Sequence, residues 1–303
     1  MPVLVTIAIP TFNRASGNLA CALQSAINQT YENIEIIVSD NCSSDHTEQV
    51  IKQFADPRIH YIRHPENIGA NANFNFCLSQ AKGEYFLLLH DDDLIDEDFV
   101  SVCMKAANDE VNEIGIIRTG TRWIDAEGNV LREIPNLVGK CSTEDFFLAY
   151  SAGKTGIYLC STLFNTIRLK EIGGFHSKYH LFQDMIAVAK LSAWYGRHDI
   201  CNIKASNRKH TNARTFSVKI KYWCEESTIL IDTMCELVSD KAKELRAEGR
   251  NFVWLHNYNL AKKIDVFSER FAAYLVIWKT CGYMYSLKRL MRASPLYRLM
   301  RNV

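Results

Sequence analysis

Short apolar runs alternate with amphipathic segments through the first third of the chain. The runs predict strands, and the amphipathic segments between them predict helices. The predicted strands are 3–9, 34–39, 59–63 and 84–90. The predicted helices are about 17–29, a helix to about 54 after the capping residues 41–48, and about 70–81. Such alternation is typical of an α/β fold with a mostly parallel sheet, right-handed crossovers and flanking helices. The polar strand ends are then expected on one edge of the sheet.

The fourth of these runs has no polar alternation and stops at three consecutive carboxylates, Asp91, Asp92 and Asp93. A strand without alternation is expected to be buried on both faces. Adjacent carboxylates repel one another unless a cation lies among them, and a hard divalent ion carrying a phosphate substrate would supply that charge. The alternative is an acidic turn in which Asp93 or Asp96 caps the next helix.

The second predicted strand ends at Asp40, and ligands in open α/β sheets gather beyond the carboxyl ends of the strands. We therefore expect Asp40 and the three carboxylates to face one crevice. The alternative for Asp40 is a cap on the helix that follows it.

Beyond the acidic residues the pattern is less regular. It predicts a helix to about 109, a strand at 114–124 with a hairpin turn at 125–129, a helix at 142–150, an apolar segment at 156–164, a last strand at 199–206 and a polar loop at 208–214. After residue 216 apolar residues recur at helical spacing, with Phe267 and Phe271 among them. This spacing predicts two long helices joined near Gly249, with the apolar stripe as core.

Domain 1–215 is thus expected to be α/β, with a helical extension at 216–303. The extension would pack on the first domain or on a partner subunit, so a homo-oligomer through its helices is an alternative. From Arg270 to Val303 there are seven Lys or Arg and no Asp or Glu. Basic residues interleaved with aromatic ones at 283–302 predict a tail on an anionic membrane, and a basic oligomerisation helix is the alternative.

Composition adds few constraints. A chain of 303 residues with 48% hydrophobic and 23% charged residues is expected to be globular, and a net charge of +1 gives no support for nucleic-acid binding. The ten cysteines form no C-x-x-C pair, which favours a reducing cytosol. We find no signal-peptide pattern and no apolar run of membrane-spanning length. The expected location is cytoplasmic and peripheral, on the inner face of the membrane.

Four segments resemble the family 2 glycosyltransferases of the GT-A fold. They are Ile-Pro-Thr-Phe-Asn-Arg at 9–14, Val-Ser-Asp-Asn-Cys-Ser-Ser-Asp at 38–45, Glu-Asn-Ile-Gly at 66–69, and Lys-Gly-Glu-Tyr at 82–85 running into the acidic residues. The resemblance implies a nucleotide-sugar site in which Asp40 accepts a hydrogen bond from the base. Its implied members are Pro10, Thr11, Phe12, Asn13, Arg14, Asp40, Asn67, Asn71, His90, Asp91, His210 and Arg214.

The family's D-x-D-like element aligns with His90, Asp91 and Asp92, so His90 replaces its first acid. The resemblance implies Mg²⁺ or Mn²⁺ held by Asp92 together with Asp91 or Asp93. Three interpretations of His90 stay open: a contact to the ribose, a half-buried histidine with a structural role, or a ligand of the metal ion. His210 and Arg214 correspond to the family's basic segment over the diphosphate, with a solvated basic loop as the alternative.

Gly173-Gly174-Phe175, followed by Gln183 and Asp184, resembles the family's G-G-F segment and the acidic pair that opens a helix. Asp184 matches the general base of inverting members, which must take the proton of an attacking sugar hydroxyl. The alternative is a carboxylate that only interacts favourably with the helix N-terminus.

The resemblance implies sugar transfer from a nucleotide-diphosphate sugar to a hydroxyl of a saccharide acceptor, with inversion. The basic tail favours a lipid-linked acceptor in a bacterial surface-polysaccharide pathway. One alternative is a sugar nucleotidylyltransferase, although its glycine-rich G-x-G-T-R signature is missing after the first strand. The other is a non-catalytic scaffold derived from a transferase, which the changes at His90 and Gln183 leave open.

Overall fold

Nine strands form one sheet in the computed structural model, which describes residues 2–108, 113–209 and 218–280. The strands are β1 Val5–Thr11, β2 Ile34–Asp40, β3 Ile59–Arg63, β4 Tyr85–Leu88, β5 Leu94–Ile95, β6 Ile116–Ile124, β7 Val130–Ile134, β8 Thr162–Asn165 and β9 Arg197–Arg208. Their order across the sheet is β3-β2-β1-β4-β8-β6-β9-β5, and β7 pairs with β6.

Helices follow most of these strands. They are α1 Leu19–Ile27, α2 Thr47–Ile51, α3 Ala70–Gln80, α4 Phe99–Ala107, α5 Thr143–Ser151, α6 Thr166–Glu171 and α7 Gln183–Tyr195. The chain divides into two compact units, Met1–Thr211 and Asn212–Val303, which we describe separately.

The first four strands pair in parallel, as the alternating pattern predicted. β8 then lies antiparallel to both β4 and β6, while β9 is parallel to β6 and antiparallel to β5. The sheet is therefore parallel in its first half and mixed in its second half. A single reversed strand, β8, separates the two halves.

Register brings the carboxyl ends of β1, β2 and β4 to one edge of the sheet. Thr11 pairs with Asp40, and Leu89 donates its backbone N–H to the carbonyl oxygen of Ala8 at 2.9 Å. All residues of these three strands are buried, which explains why apolar residues predominate in them without regular alternation. The polar residues that follow each strand are thus adjacent.

The second unit contains three described helices, α8 Ile220–Leu237, α9 Ala242–Ala261 and α10 Phe267–Thr280. The expected join near Gly249 is wrong, because Gly249 lies inside α9. A Cβ at Gly249 would collide with the side chain of Ile231 on α8. This glycine therefore permits close packing of two helices, which sequence alone does not distinguish from a turn.

The expectation that Phe267 and Phe271 belong to the core is also wrong. Their side chains are exposed, while Tyr274 and Ile277 of the same helix pack with Cys224 in the core of this unit. Helical spacing therefore identified apolar faces of α10 but not which face is buried. Within the described ranges, no helix combines the length and the hydrophobicity that a bilayer span requires.

Candidate active site

The loop after β1 is fastened to the loop after β2. The backbone N–H of Asn13 donates to Ser43 Oγ at 2.8 Å, and Asn13 Oδ1 accepts from the backbone N–H of Ser44 at 2.8 Å. Asn13 has φ of 54°, a left-handed conformation that Asn adopts more readily than most residues. The neighbouring side chain of Phe12 is left 42% exposed. These contacts support the expectation that both loops border one crevice.

Asp40 is fully buried at the end of β2. Its carboxylate accepts hydrogen bonds of 2.8 Å from the Tyr61 hydroxyl and from the backbone N–H of Ser43, and Arg63 Nε lies 3.9 Å away. Burial is the main cause that raises the pKa of Tyr61, and the hydrogen bond to Asp40 is the second. Asp40 therefore fixes the loop that faces Asn13. The contact with a nucleotide base stays a prediction.

His90, Asp92 and Asp93 form a compact cluster just beyond β4. One potential ligand atom from each lies within 4.8 Å of the others. The His90 ring is half-buried beside Phe74, with the ring centroids 5.6 Å apart, and its Nδ1 lies 3.6 Å from Asp93 Oδ2. Two carboxylates and one imidazole at this spacing are a suitable donor set for a divalent metal ion.

The charges of the cluster act on His90. Burial favours the neutral imidazole, but the hydrogen bond and charge of Asp93, with the charges of Asp92 and Asp91, raise the pKa of His90 to about 9. Without a metal ion, a protonated imidazole therefore lies among these carboxylates at neutral pH, and a metal ion held by His90 would have to displace that proton. This proton relieves the repulsion that the sequence pattern implied.

Asp91 faces the β1 loop. Its Oδ1 lies 3.4 Å from Nε of Arg14. Burial raises the pKa of Asp91 to about 6, and the charge of Arg14 opposes that rise. The triplet of acids therefore divides, with Asp91 directed to Arg14 and Asp92 and Asp93 grouped with His90.

Residues at the end of β9 hold the acidic cluster in place. Asp93 accepts hydrogen bonds from the backbone N–H of Arg208 at 2.8 Å and from Asn207 Nδ2 at 3.1 Å. The Arg208 guanidinium donates to the carbonyl oxygens of Asp92 and Asp125. The expected polar loop from 208 is therefore wrong at its first residue, because β9 continues to Arg208 and buries it.

The Gly-Gly-Phe segment is a tight turn anchored in the core. Gly173 and Gly174 have φ of 87° and 79°, and a Cβ at Gly174 would collide with Asn75 Oδ1. The Asn75 side chain accepts from the backbone N–H of Phe175 at 2.9 Å and donates to its carbonyl oxygen at 3.0 Å. The side chain of Asn71 donates to the same carbonyl oxygen at 2.9 Å. Asn71, which we predicted in the nucleotide-sugar site, therefore also stabilises this turn.

The ring of Phe175 is fully buried against Phe86 of β4 and Phe164 of β8, with ring centroids 6.4 and 5.4 Å apart. This anchor fixes the start of the segment that leads into α7. The sequence contained the signal, a glycine pair followed by an aromatic residue, but not the asparagines that bind it.

Asp184 lies in the first turn of α7 and is half-buried. Its charge adds to the effect of burial in raising the pKa of Tyr150 on α5, so the two side chains are neighbours. Gln183 beside it is buried. The role of Asp184 as a base stays a prediction. His210 and Arg214 lie outside the described residues.

Asn67 belongs to the same edge, where its side chain accepts from Asn41 Nδ2 and from the backbone N–H of Gly69, both at 2.9 Å. Pro10 and Thr11 are the last residues of β1 and are buried. Most of the candidate residues near the nucleotide thus border the edge where β1, β2 and β4 end.

Solved structures of similar fold are glycosyltransferases of the GT-A class. One is S. aureus TarS 1–349 in complex with UDP-GlcNAc, with TM-score 0.70, 16% identity, and coverage of 99% of this chain and 87% of that chain. Another is the mannosyltransferase PcManGT from Pyrobaculum calidifontis in complex with GDP-Man and Mn²⁺, with TM-score 0.57, 16% identity and coverage of 99% and 83%. The expected GT-A fold is confirmed.

Residues 6–135 match the family model for glycosyl transferase family 2. A glucosyltransferase of Campylobacter jejuni named for GalNAc(5)-diNAcBac-PP-undecaprenol is 34% identical over 178 residues, which cover 56% of each chain. An uncharacterised glycosyltransferase of Rickettsia conorii is 30% identical over 255 residues, covering 83% of this chain and 41% of the relative. These matches confirm the resemblance to the family 2 glycosyltransferases. The chain spans about half the length of these relatives.

Proposed function

We propose that this protein transfers a sugar from a nucleotide-diphosphate sugar to a hydroxyl of a saccharide acceptor, with inversion at the anomeric carbon. The observation that carries the proposal is the cluster of His90, Asp92 and Asp93 at the sheet edge where β1, β2 and β4 end. The adjacent ion pair of Arg14 and Asp91 adds a cation at the same edge.

The donor is proposed to bind across the ends of β1 and β2. Pro10, Thr11, Asn13 and Arg14 form the border on one strand, with Asp40 on the next, and the exposed ring of Phe12 offers an apolar surface for a base or ribose. The side chain of Arg14 is 46% exposed, and its guanidinium is suited to a phosphate oxygen. Asn67, Asn71, His210 and Arg214 complete the proposed donor site.

Mg²⁺ or Mn²⁺ fits the donor set of the acidic cluster. We assign the ion to Asp92 with Asp93 and His90, and Asp91 is the alternative third ligand. A bound divalent ion supplies the positive charge that stabilises a departing nucleoside diphosphate. Arg208 and Asn207 orient Asp93 for this task.

Asp184 is proposed as the general base. A sugar hydroxyl is a weak nucleophile, so it must lose its proton as it attacks the anomeric carbon. The carboxylate of Asp184 accepts that proton on the face opposite the leaving diphosphate. A single displacement of this kind inverts the anomeric centre.

The acceptor is proposed to be a lipid-linked saccharide, and the protein to lie on the cytoplasmic face of a membrane. Two observations support this assignment. The Campylobacter relative is named for an undecaprenyl-diphosphate-linked substrate, and residues 270–303 of this chain contain seven Lys or Arg without Asp or Glu.

A panel of nucleotide sugars with and without Mn²⁺ tests the proposal through thermal protection and sugar transfer. We expect one donor to protect the parent protein in a metal-dependent manner. Asp92→Ala should lose that protection, whereas Asp184→Ala should retain it and lose transfer. Glu127→Ala, an exposed turn carboxylate, is the control. Equal protection of Asp92→Ala and the parent would refute the metal assignment, and release of pyrophosphate would indicate nucleotidyl transfer instead.

A further inference from the structure

Helix α10 exposes a row of large apolar side chains. Phe267 is 44% exposed, Phe271 is 52% exposed and Leu275 is 36% exposed. Their spacing of four residues places all three on one side of the helix. Residues Ala273, Tyr274 and Ile277 are instead buried and form the core of this unit with Cys224 and Ala261. The row is therefore additional to the apolar surface that holds α10 in its own unit.

The exposed row is small compared with a protein interface. A phenylalanine buries on the order of 150 to 250 Å² when fully enclosed, so the three partly exposed side chains offer about 250 Å² together. A stable interface buries about 800 Å² on each partner. This row alone is therefore insufficient for a stable dimer.

After Glu269, which lies in the first turn of α10, the charge of the sequence has one sign. From Arg270 to Val303 the chain has seven Lys or Arg and no Asp or Glu, and Lys279 in the last turn of α10 is exposed. A shallow apolar surface combined with a basic segment is suited to the boundary between anionic headgroups and acyl chains. The apolar groups enter the boundary, and the cations remain at the headgroups.

We propose that the row formed by Phe267, Phe271 and Leu275 is a membrane-insertion surface for bilayers that contain anionic lipid. This surface adds a defined apolar contact to the electrostatic attraction of the basic segment. The proposal rests on the membrane location proposed above, but its test needs no sugar donor and is therefore independent of the transferase reaction.

Co-sedimentation of the 303-residue protein with vesicles tests this surface. The vesicles are phosphatidylcholine with or without phosphatidylglycerol. We expect binding only to vesicles with phosphatidylglycerol, and weaker binding at high salt. Phe267→Ser with Phe271→Ser should lower the partition coefficient about a hundredfold, since each substitution removes about tenfold through lost apolar burial.

Two controls separate insertion from unfolding. Phe267→Leu with Phe271→Leu keeps the apolar character and should bind nearly as the parent does. Leu255→Ser removes a 53% exposed side chain from α9 and should leave binding unchanged. Parent-like binding of the double-serine variant, or equal binding to both kinds of vesicle, would overturn the proposal. A parent dimer in light scattering that the double-serine variant abolishes would overturn it in favour of self-association.

Discussion

Asp93 accepts a hydrogen bond of 2.8 Å from the backbone N–H of Arg208, which lies 115 residues further along the chain. The side chain of Arg208 also donates to the carbonyl oxygens of Asp92, Asp125 and Ala126. The end of β9 therefore holds the acidic cluster that follows β4. The position of two proposed metal ligands depends on this buried arginine.

Arg208→Lys should lower the free energy of unfolding by about 2 to 3 kcal/mol, because a lysine cannot reproduce the fork of donors and leaves buried carbonyl groups unpaired. It should also weaken Mn²⁺ binding about tenfold through misplacement of Asp92 and Asp93. Urea unfolding and calorimetry measure the two effects. Lys243→Ala, at an exposed position of α9, is the control. Unchanged unfolding of Arg208→Lys would show that the guanidinium is dispensable.

Substitution of the individual acids distinguishes the possible ligand sets. Asp93→Asn keeps an oxygen that accepts from Arg208 but removes a charge, so Mn²⁺ affinity should fall about tenfold or more. Asp91→Asn removes the partner of Arg14 and should change that affinity less than about threefold. Calorimetry with Mn²⁺ alone measures both variants. A larger loss for Asp91→Asn than for Asp93→Asn would make Asp91 the ligand.

The first half of the fold could be predicted from sequence because its signals are local. Strands buried on both faces give uninterrupted apolar runs, and their polar ends mark the sheet edge directly. The observed bounds of β2, Ile34–Asp40, and of β3, Ile59–Arg63, differ little from those predicted. The adjacency of the ends of β1, β2 and β4 followed from the same reasoning.

The rest depends on contacts between distant residues. Arg208 belongs to a polar segment that has the composition of an exposed loop, and only its pairing with residues after β4 buries it. Asn75 is an ordinary helix residue until Phe175 lies against it, 100 residues later. Likewise, the apolar positions of α10 define two faces, and packing with α8 and α9 selects the buried one.

Gly249→Ala tests the close packing of α8 against α9 at the position where the sequence predicted a turn. Alanine favours a helix over glycine by up to about 1 kcal/mol, but its Cβ would collide with Ile231. Overpacking costs about 1 to 3 kcal/mol, so we expect a net loss of stability in urea unfolding. Ile231→Ala combined with Gly249→Ala should lose less stability than the sum of the single variants. Strictly additive losses would show that the two positions do not meet.

His256 should make stability depend on pH. Its ring packs beside Trp223 and Phe252, and burial lowers the pKa of His256 to about 4. The unfolded chain, with a histidine pKa of about 6.5, binds more protons than the folded chain between these values, so stability falls as the pH falls through that window. The largest decrease in the free energy of unfolding that His256 can cause is about 3 kcal/mol.

Carboxylates also titrate towards the lower end of that window, so the useful quantity is the difference between the parent and His256→Gln, whose amide stays neutral. Urea unfolding at about pH 7 and about pH 5 should show a smaller loss for the variant, by roughly 1 to 2 kcal/mol. The parent loses stability because its unfolded state gains a proton that the buried imidazole cannot take. Equal losses in both proteins would mean that the ring is protonated in the folded chain and that burial does not exclude its charge.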